Sequence, residues 1–160
     1  MTNSNEKGYL LIEAMVAATL LIVGFLGVLG LVSQSLGLSR FVSDEFAANY
    51  LAMEGVEVVK NLIDANTIKN QPWNQGFSSE KCYEIDYNTS DIGSATEVRC
   101  PDASSNFISI SGKTTPFKRT VHIVPVSADE IKVNSIVKWS GRGGGKFEIN
   151  MEDHFFNWRP

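Results

Sequence analysis

With 160 residues, 14 lysines and arginines against 18 aspartates and glutamates, and a net charge of −4, the chain has room for one modest domain plus an anchor. The acidic balance argues against a binder of phosphate backbones, which would carry a basic stripe. Two cysteines, Cys82 and Cys100, form an even count that fits an oxidising compartment without proving one.

The first eight residues, MTNSNEKG, form a short polar leader. From Tyr9 the chain turns apolar, and between Glu13 and Arg40 it carries no charge for about 26 residues. As a helix this stretch spans roughly 39 Å, enough for a hydrocarbon core of about 30 Å. A cleaved secretory signal has a basic start and an apolar core of only about 7–15 residues; the run here is longer, and no small-residue cleavage site closes it. Gly24, Gly27 and Gly30 recur every third residue and permit close helix approach, although the spacing is not GxxxG. Beyond Arg40 the pattern becomes amphipathic. Phe46, Tyr50, Leu51 or Met53, Val58 or Val59, Leu62 and Ile63 recur at helical spacing among Asp44, Glu45, Glu54, Glu57 and Lys60. No proline interrupts residues 9–71, so one helix of more than about 50 residues is expected, apolar over 9–39 and amphipathic over 40–66.

Residues 67–160 read as a β-rich head. NTIKNQPWNQGFSSEK is a loop, with Pro72 and Gly76 among Asn and Ser. CYEIDY, NFISIS, FKRTVHIVPV, EIKVNSIVKW and KFEINME alternate or run apolar as about five short strands, with SGRGGG as a hairpin connection before Lys146. A helix followed by strands in series predicts an α+β fold, an antiparallel sheet of four or five strands laid on the amphipathic half-helix.

Glu13 is the anomaly. A carboxylate within an apolar span is costly and marks function unless it sits at the water interface. KGYLLIEAMVAATLLIVGFLGVLGL resembles the N-terminal signal of type IV prepilins and pseudopilins: a leader ending in Gly8, an aromatic first mature residue, Tyr9, and a glutamate at the fifth mature position, Glu13. The family usually has Phe where Tyr9 stands. LAMEGVEVVKNLIDAN and the closing VNSIVKWSGRGGGKFEINMEDHFFNW resemble minor pilins of the PilV-like group. The resemblance implies a type IV pilin-like fold and cleavage between Gly8 and Tyr9 by a membrane prepilin peptidase. The same enzyme class would methylate the new Tyr9 amine, and assembly would use Glu13, paired with the first amine of a neighbouring subunit. The partners it implies are other pilin or pseudopilin subunits, the peptidase/methyltransferase, an inner-membrane assembly platform, and lipid before assembly. The leader would lie inside and the head outside, first on a single-pass membrane protein and then in an extracellular pilus or a periplasmic pseudopilus.

For an outer head, a Cys82–Cys100 disulfide is expected; it closes a polar loop of about 19 residues and contributes around 3 kcal/mol in the chain-entropy model. No metal or cofactor is expected, because His122 and His154 stand at no ligand spacing from either cysteine. SGRGGGK fails as a phosphate loop: Ser140 stands in place of the first glycine and Phe147 follows Lys146. Asn88-Thr89-Ser90 matches a glycosylation acceptor, which chance explains in a bacterial-type chain. Trp73, Trp139 and Trp158 are expected in packing, with Trp73 on a loop. Three classes of function follow. A filament subunit, a minor pilin or a secretion pseudopilin, leads. A single-pass anchored extracellular binding module is second. An anchored enzyme is last, since no constellation of acid, base and nucleophile is visible.

Overall fold

The computed structural model describes residues 4–100, 108–110, 113–141 and 144–158, and the chain divides into two compact units, Met1–Ser43 and Asp44–Pro160. One helix, α1 (Ser4–Ile68), runs through both. Over residues 9–43 every side chain is exposed, as an all-round apolar surface requires when its partner is lipid or other helices. By length and composition the helix Tyr9–Ile68 can cross a membrane, its most apolar window having a mean hydropathy of 2.6.

In the second unit α1 lies on an antiparallel sheet. The strands are β1 (Lys81–Glu84), β2 (Thr96–Val98), β5 (Phe117–Ser127), β6 (Glu130–Ser140) and β7 (Lys146–Phe156), in spatial order β2-β1-β5-β6-β7. A separate two-stranded ribbon pairs β3 (Ser109–Ile110) with β4 (Lys113–Thr114). Of the expected NFISIS strand, Ser109–Ile110 is a strand among the described residues; Asn106, Phe107 and Ser111 lie outside them. β7 runs on to Phe156 and takes in His154, which reads from sequence as part of an aromatic tail. The β6–β7 hairpin closes by bonds from Gly141 N to Gly145 O and from Gly144 N to Gly141 O, with Gly144 at φ +78°; Arg142 and Gly143 lie outside the described residues.

The helix face on the sheet is the expected one at Leu51, Val58, Val59, Leu62 and Ile63 and departs from it at Phe46, Tyr50 and Met53. Ala48, Leu51, Ala52, Val59, Leu62 and Ile63 are buried, whereas Phe46, Tyr50 and Met53 are 63%, 70% and 52% exposed. Small residues sit at the contact because the helix backbone comes close to the sheet. A Cβ on Gly55 would collide with the Ser135 hydroxyl and stand 3.0 Å from Arg119 Cδ and 3.2 Å from Val121 Cγ2. Two apolar clusters result. One joins Val59, Leu62 and Ile63 to Phe77, Tyr83, Val121, Ile123, Ile131 and Val133. The other joins Ala48, Leu51 and Ala52 to Phe117, Val137 and Trp139.

Between the clusters lies Arg119, its side chain 1% exposed. Its guanidinium donates from Nε and Nη2 to Ile85 O at 3.2 and 2.7 Å, from Nη1 to Leu51 O at 2.8 Å, and from Nη2 to Glu54 Oε1 at 3.1 Å. A buried cation is tolerated only when its donors are matched in this way.

Helix α1 stops at a Schellman cap. Asn70 takes φ +55°, Gln71 N donates to Asn66 O at 2.9 Å and Asn70 N to Thr67 O at 3.1 Å, and Pro72 forbids continuation. Asn66 Nδ2 then holds the following loop through Trp73 O at 3.3 Å and Gln75 O at 2.9 Å.

Candidate functional site

The signal-like segment lies on the first turns of the described helix. Gly8 is helical, Tyr9 is 81% exposed, and Glu13 is exposed one turn further on. Residues four apart share a helix face, so the Glu13 carboxylate and the Tyr9 position sit on one side. Leu10, Leu11, Ile12, Met15 and Val16 around them are all exposed. Within the apolar stretch, the Thr19 hydroxyl donates to Val16 O at 2.8 Å, so this polar group has its partner within the helix itself. Glycines 24, 27, 30 and 37 have nothing within 4 Å of a built Cβ. The segment therefore offers a smooth apolar cylinder with one carboxylate near its start.

In the head, the Cys82–Cys100 bond is formed, with Cα atoms 5.5 Å apart. It ties β1 to the residue pair just past β2 and closes the loop that holds Asn88, which is exposed in a turn. His122 comes to the same corner. It is the cross-strand partner of Cys82, its ring atom and both sulfurs lie within 4.8 Å of one another, and its Nε2 is 3.0 Å from Glu80 Oε1. Linear spacing misses this grouping because the β1–β5 register creates it. Sulfurs joined in a disulfide have no thiolate to offer a metal.

The outer face of the sheet carries a second polar line. Asn134 Nδ2 donates to Glu152 Oε2 at 2.8 Å, and the His154 ring lies between Glu130 (Nδ1 to Oε1, 2.6 Å) and Glu152 (Nε2 to Oε1, 3.3 Å). The hydrogen bond to Glu130, then that to Glu152, raises the His154 pKa above 6.5. Bonds from Asn134 and then His154 lower that of Glu152.

Of the tryptophans, Trp139 is buried between Phe117 and Phe147, with ring centroids at 6.0 and 5.6 Å, and Trp73 is half-buried against the larger cluster. Trp158 departs from expectation at 76% exposed. The sheet ends before it, and its backbone N–H turns back to Phe156 O at 3.0 Å.

No protein-family model, curated protein or solved structure matches this chain. The fold is α+β, a long N-terminal helix packed on a five-stranded antiparallel sheet in a pilin-like layout.

Proposed function

We propose that this chain is a type IV pilin-like structural subunit, a minor pilin cut between Gly8 and Tyr9, N-methylated on Tyr9, and assembled through its apolar helix into a pilus or pseudopilus. The observation that carries the reading is the order Gly8, Tyr9, Glu13 ahead of an uncharged span, on a helix that continues into an α+β head. Exposure of the apolar side chains over 9–38 supports it, because such a surface demands lipid first and neighbouring helices later. The disulfide supports an extracytoplasmic head.

Cleavage creates an amine at Tyr9 and leaves Glu13 one turn below it. Removed from water, each charge needs the other, and the desolvation of both is offset only when a neighbouring subunit brings carboxylate and amine together. A subunit out of register would leave a lone buried charge, so the pair sets stagger. Mass spectrometry of the protein from its native membrane tests the first step: a chain beginning at Tyr9 with one added methyl group is expected. Recovery of intact Met1 assigns the chain to an ordinary single-pass anchor. Glu13→Val is expected to be cut normally and to incorporate poorly, and incorporation at the wild-type level removes the assembly role. A pseudopilin of a secretion system shares the signal, and locating the assembled product outside the cell or in the periplasm decides between them.

A further inference from the structure

His122 stands where a disulfide alone has no use for it. In the β1–β5 register it lies directly across from Cys82, and a ring nitrogen and both sulfurs fall within 4.8 Å of one another. The sulfurs are already joined, and an S–S bond needs no imidazole beside it. The ring in turn has a carboxylate at its side, Glu80 Oε1, 3.0 Å from Nε2. Two sulfurs, an imidazole and a carboxylate touching that imidazole are the donor set of a thiolate-rich metal site.

Strand register, and not the S–S bond, brings these donors together. His122 is carried between Val121 and Ile123, both fully buried in the larger apolar cluster. Cys82 is buried beside Tyr83 of the same cluster. β2 pairs with β1 up to Cys82 opposite Val98, two residues before Cys100, and Lys81 Nζ holds Glu97 Oε2 at 2.7 Å across that pair. Opening the disulfide therefore leaves its sulfurs as neighbours. Around tetrahedral zinc, with Zn–S about 2.3 Å and Zn–N about 2.0 Å, donor atoms stand roughly 3.5–3.8 Å apart. The sulfurs must part to reach that spacing, and Cys100, half-buried where Cys82 is buried, is the one that turns.

We infer that this corner is a redox-gated metal site: with the disulfide reduced, Cys82, Cys100 and His122 bind a thiophilic divalent cation of the zinc class. Hard cations such as calcium and magnesium prefer oxygen ligands and are not held by this set. The gate is a two-electron step. A dithiol is oxidised to its own disulfide, the Cys82–Cys100 bond breaks, and each sulfur takes up a proton. Metal binding sends both protons to solvent and turns both thiolate electron pairs to the cation. Which ring nitrogen meets the metal decides the part of Glu80. Behind an Nδ1 bond it orients the ring, and beside an Nε2 bond it stands close enough to be the fourth donor. The bound ion then ties β1 to the chain beyond β2 as the disulfide does, so the corner is stapled in either redox state. The site belongs to the head alone and does not depend on processing of the leader.

The test uses the full chain in a polyoxyethylene-ether detergent. The protein is reduced with dithiothreitol, freed of it by anaerobic gel filtration, and titrated with cobalt(II) and then zinc(II), with oxidised protein in parallel. The reduced chain is expected to bind one cobalt, with a thiolate charge-transfer band in the near ultraviolet and intense tetrahedral d–d bands. Zinc should displace the cobalt with a Kd of about 1 μM or tighter, and the oxidised chain should show neither band. His122→Ala should weaken zinc binding about 100-fold and Glu80→Gln about tenfold. Oxidised, both variants should melt near the wild-type temperature, because neither side chain belongs to an apolar cluster. Glu80, with its side chain 63% exposed, supplies the deciding variant should His122→Ala fail to fold. Three results overturn the inference: no thiolate–cobalt band after reduction, equal binding by the oxidised chain, and an affinity that the folded variants leave unchanged.

Discussion

Replacing Arg119 with methionine isolates the polar link between helix and sheet. Methionine fills much the same apolar stem but withdraws every donor. Ile85 O, which accepts from both Nε and Nη2, then loses its partner inside the head, a desolvation cost of about 1–3 kcal/mol. Leu51 O keeps its intrahelical bond and loses only the added one from Nη1, worth about 1 kcal/mol. Glu54 costs little when abandoned, because its side chain is 36% exposed and rehydrates. The sum is a destabilisation of about 2–4 kcal/mol, or a fall in melting temperature on the order of 10 °C for a domain of this size. Glu54→Gln serves as the control and should cost under about 1 kcal/mol. Urea unfolding of the full chain in detergent, followed by Trp139 fluorescence, measures both variants. An Arg119→Met midpoint within experimental error of wild type would show that the backbone carbonyls do not depend on the guanidinium. A Glu54→Gln loss equal to that of Arg119→Met would shift the weight to the ion pair and refute the partition.

Gly55→Ala should destabilise the head by about 1–3 kcal/mol despite alanine's better helix propensity, since its methyl meets Ser135, Arg119 and Val121. Adding Ser135→Ala should recover part of that loss, and a double-mutant cycle by denaturant melts reads the coupling. Reduction of Cys82–Cys100, or Cys82→Ser with Cys100→Ser, should lower stability by about 2–4 kcal/mol and leave the helix content over 9–43 unchanged, as read by thermal melts and far-UV circular dichroism. His154 should titrate above 6.5, because its folded form is held charged first by Glu130 and then by Glu152. Its contribution is full below 6.5 and fades as pH rises through the folded value, while that of Glu152 is present above 4.5 and fades as pH falls through its lowered folded value. NMR titration of the His154 ring checks this, and Glu130→Gln should bring the value back toward 6.5.

The helix and the three long strands were legible because period and length agree there. An uncharged span admits only one kind of element, and FKRTVHIVPV, EIKVNSIVKW and KFEINME run apolar or alternate, although β7 continues to Phe156 past the stretch that reads as strand. The short edge strand Thr96–Val98 was not legible: its residues are mostly exposed and gain their pairing only from Tyr83 and its neighbours. The first turns of the amphipathic face, at Phe46, Tyr50 and Met53, were misread for a related reason. Large apolar residues such as Phe46 and Tyr50 dominate a periodicity count, yet contact at close backbone distance selects Ala48, Ala52 and Gly55. Gly8, Tyr9 and Glu13 were found as a linear pattern. The grouping of His122 with Cys82 and Cys100 was not, because the ring reaches the sulfurs only through the β1–β5 register.

Arg119 has a mechanical consequence. A packed apolar face alone lets a helix slide by one turn and bury nearly the same area. Here a slide of about 5.4 Å would carry Leu51 O and Glu54 past the guanidinium and strand its charge between two greasy clusters. Tension drawn along α1 from its apolar end is therefore resisted in shear at this toothed position, and the head should yield by losing that tooth before its sheet unravels.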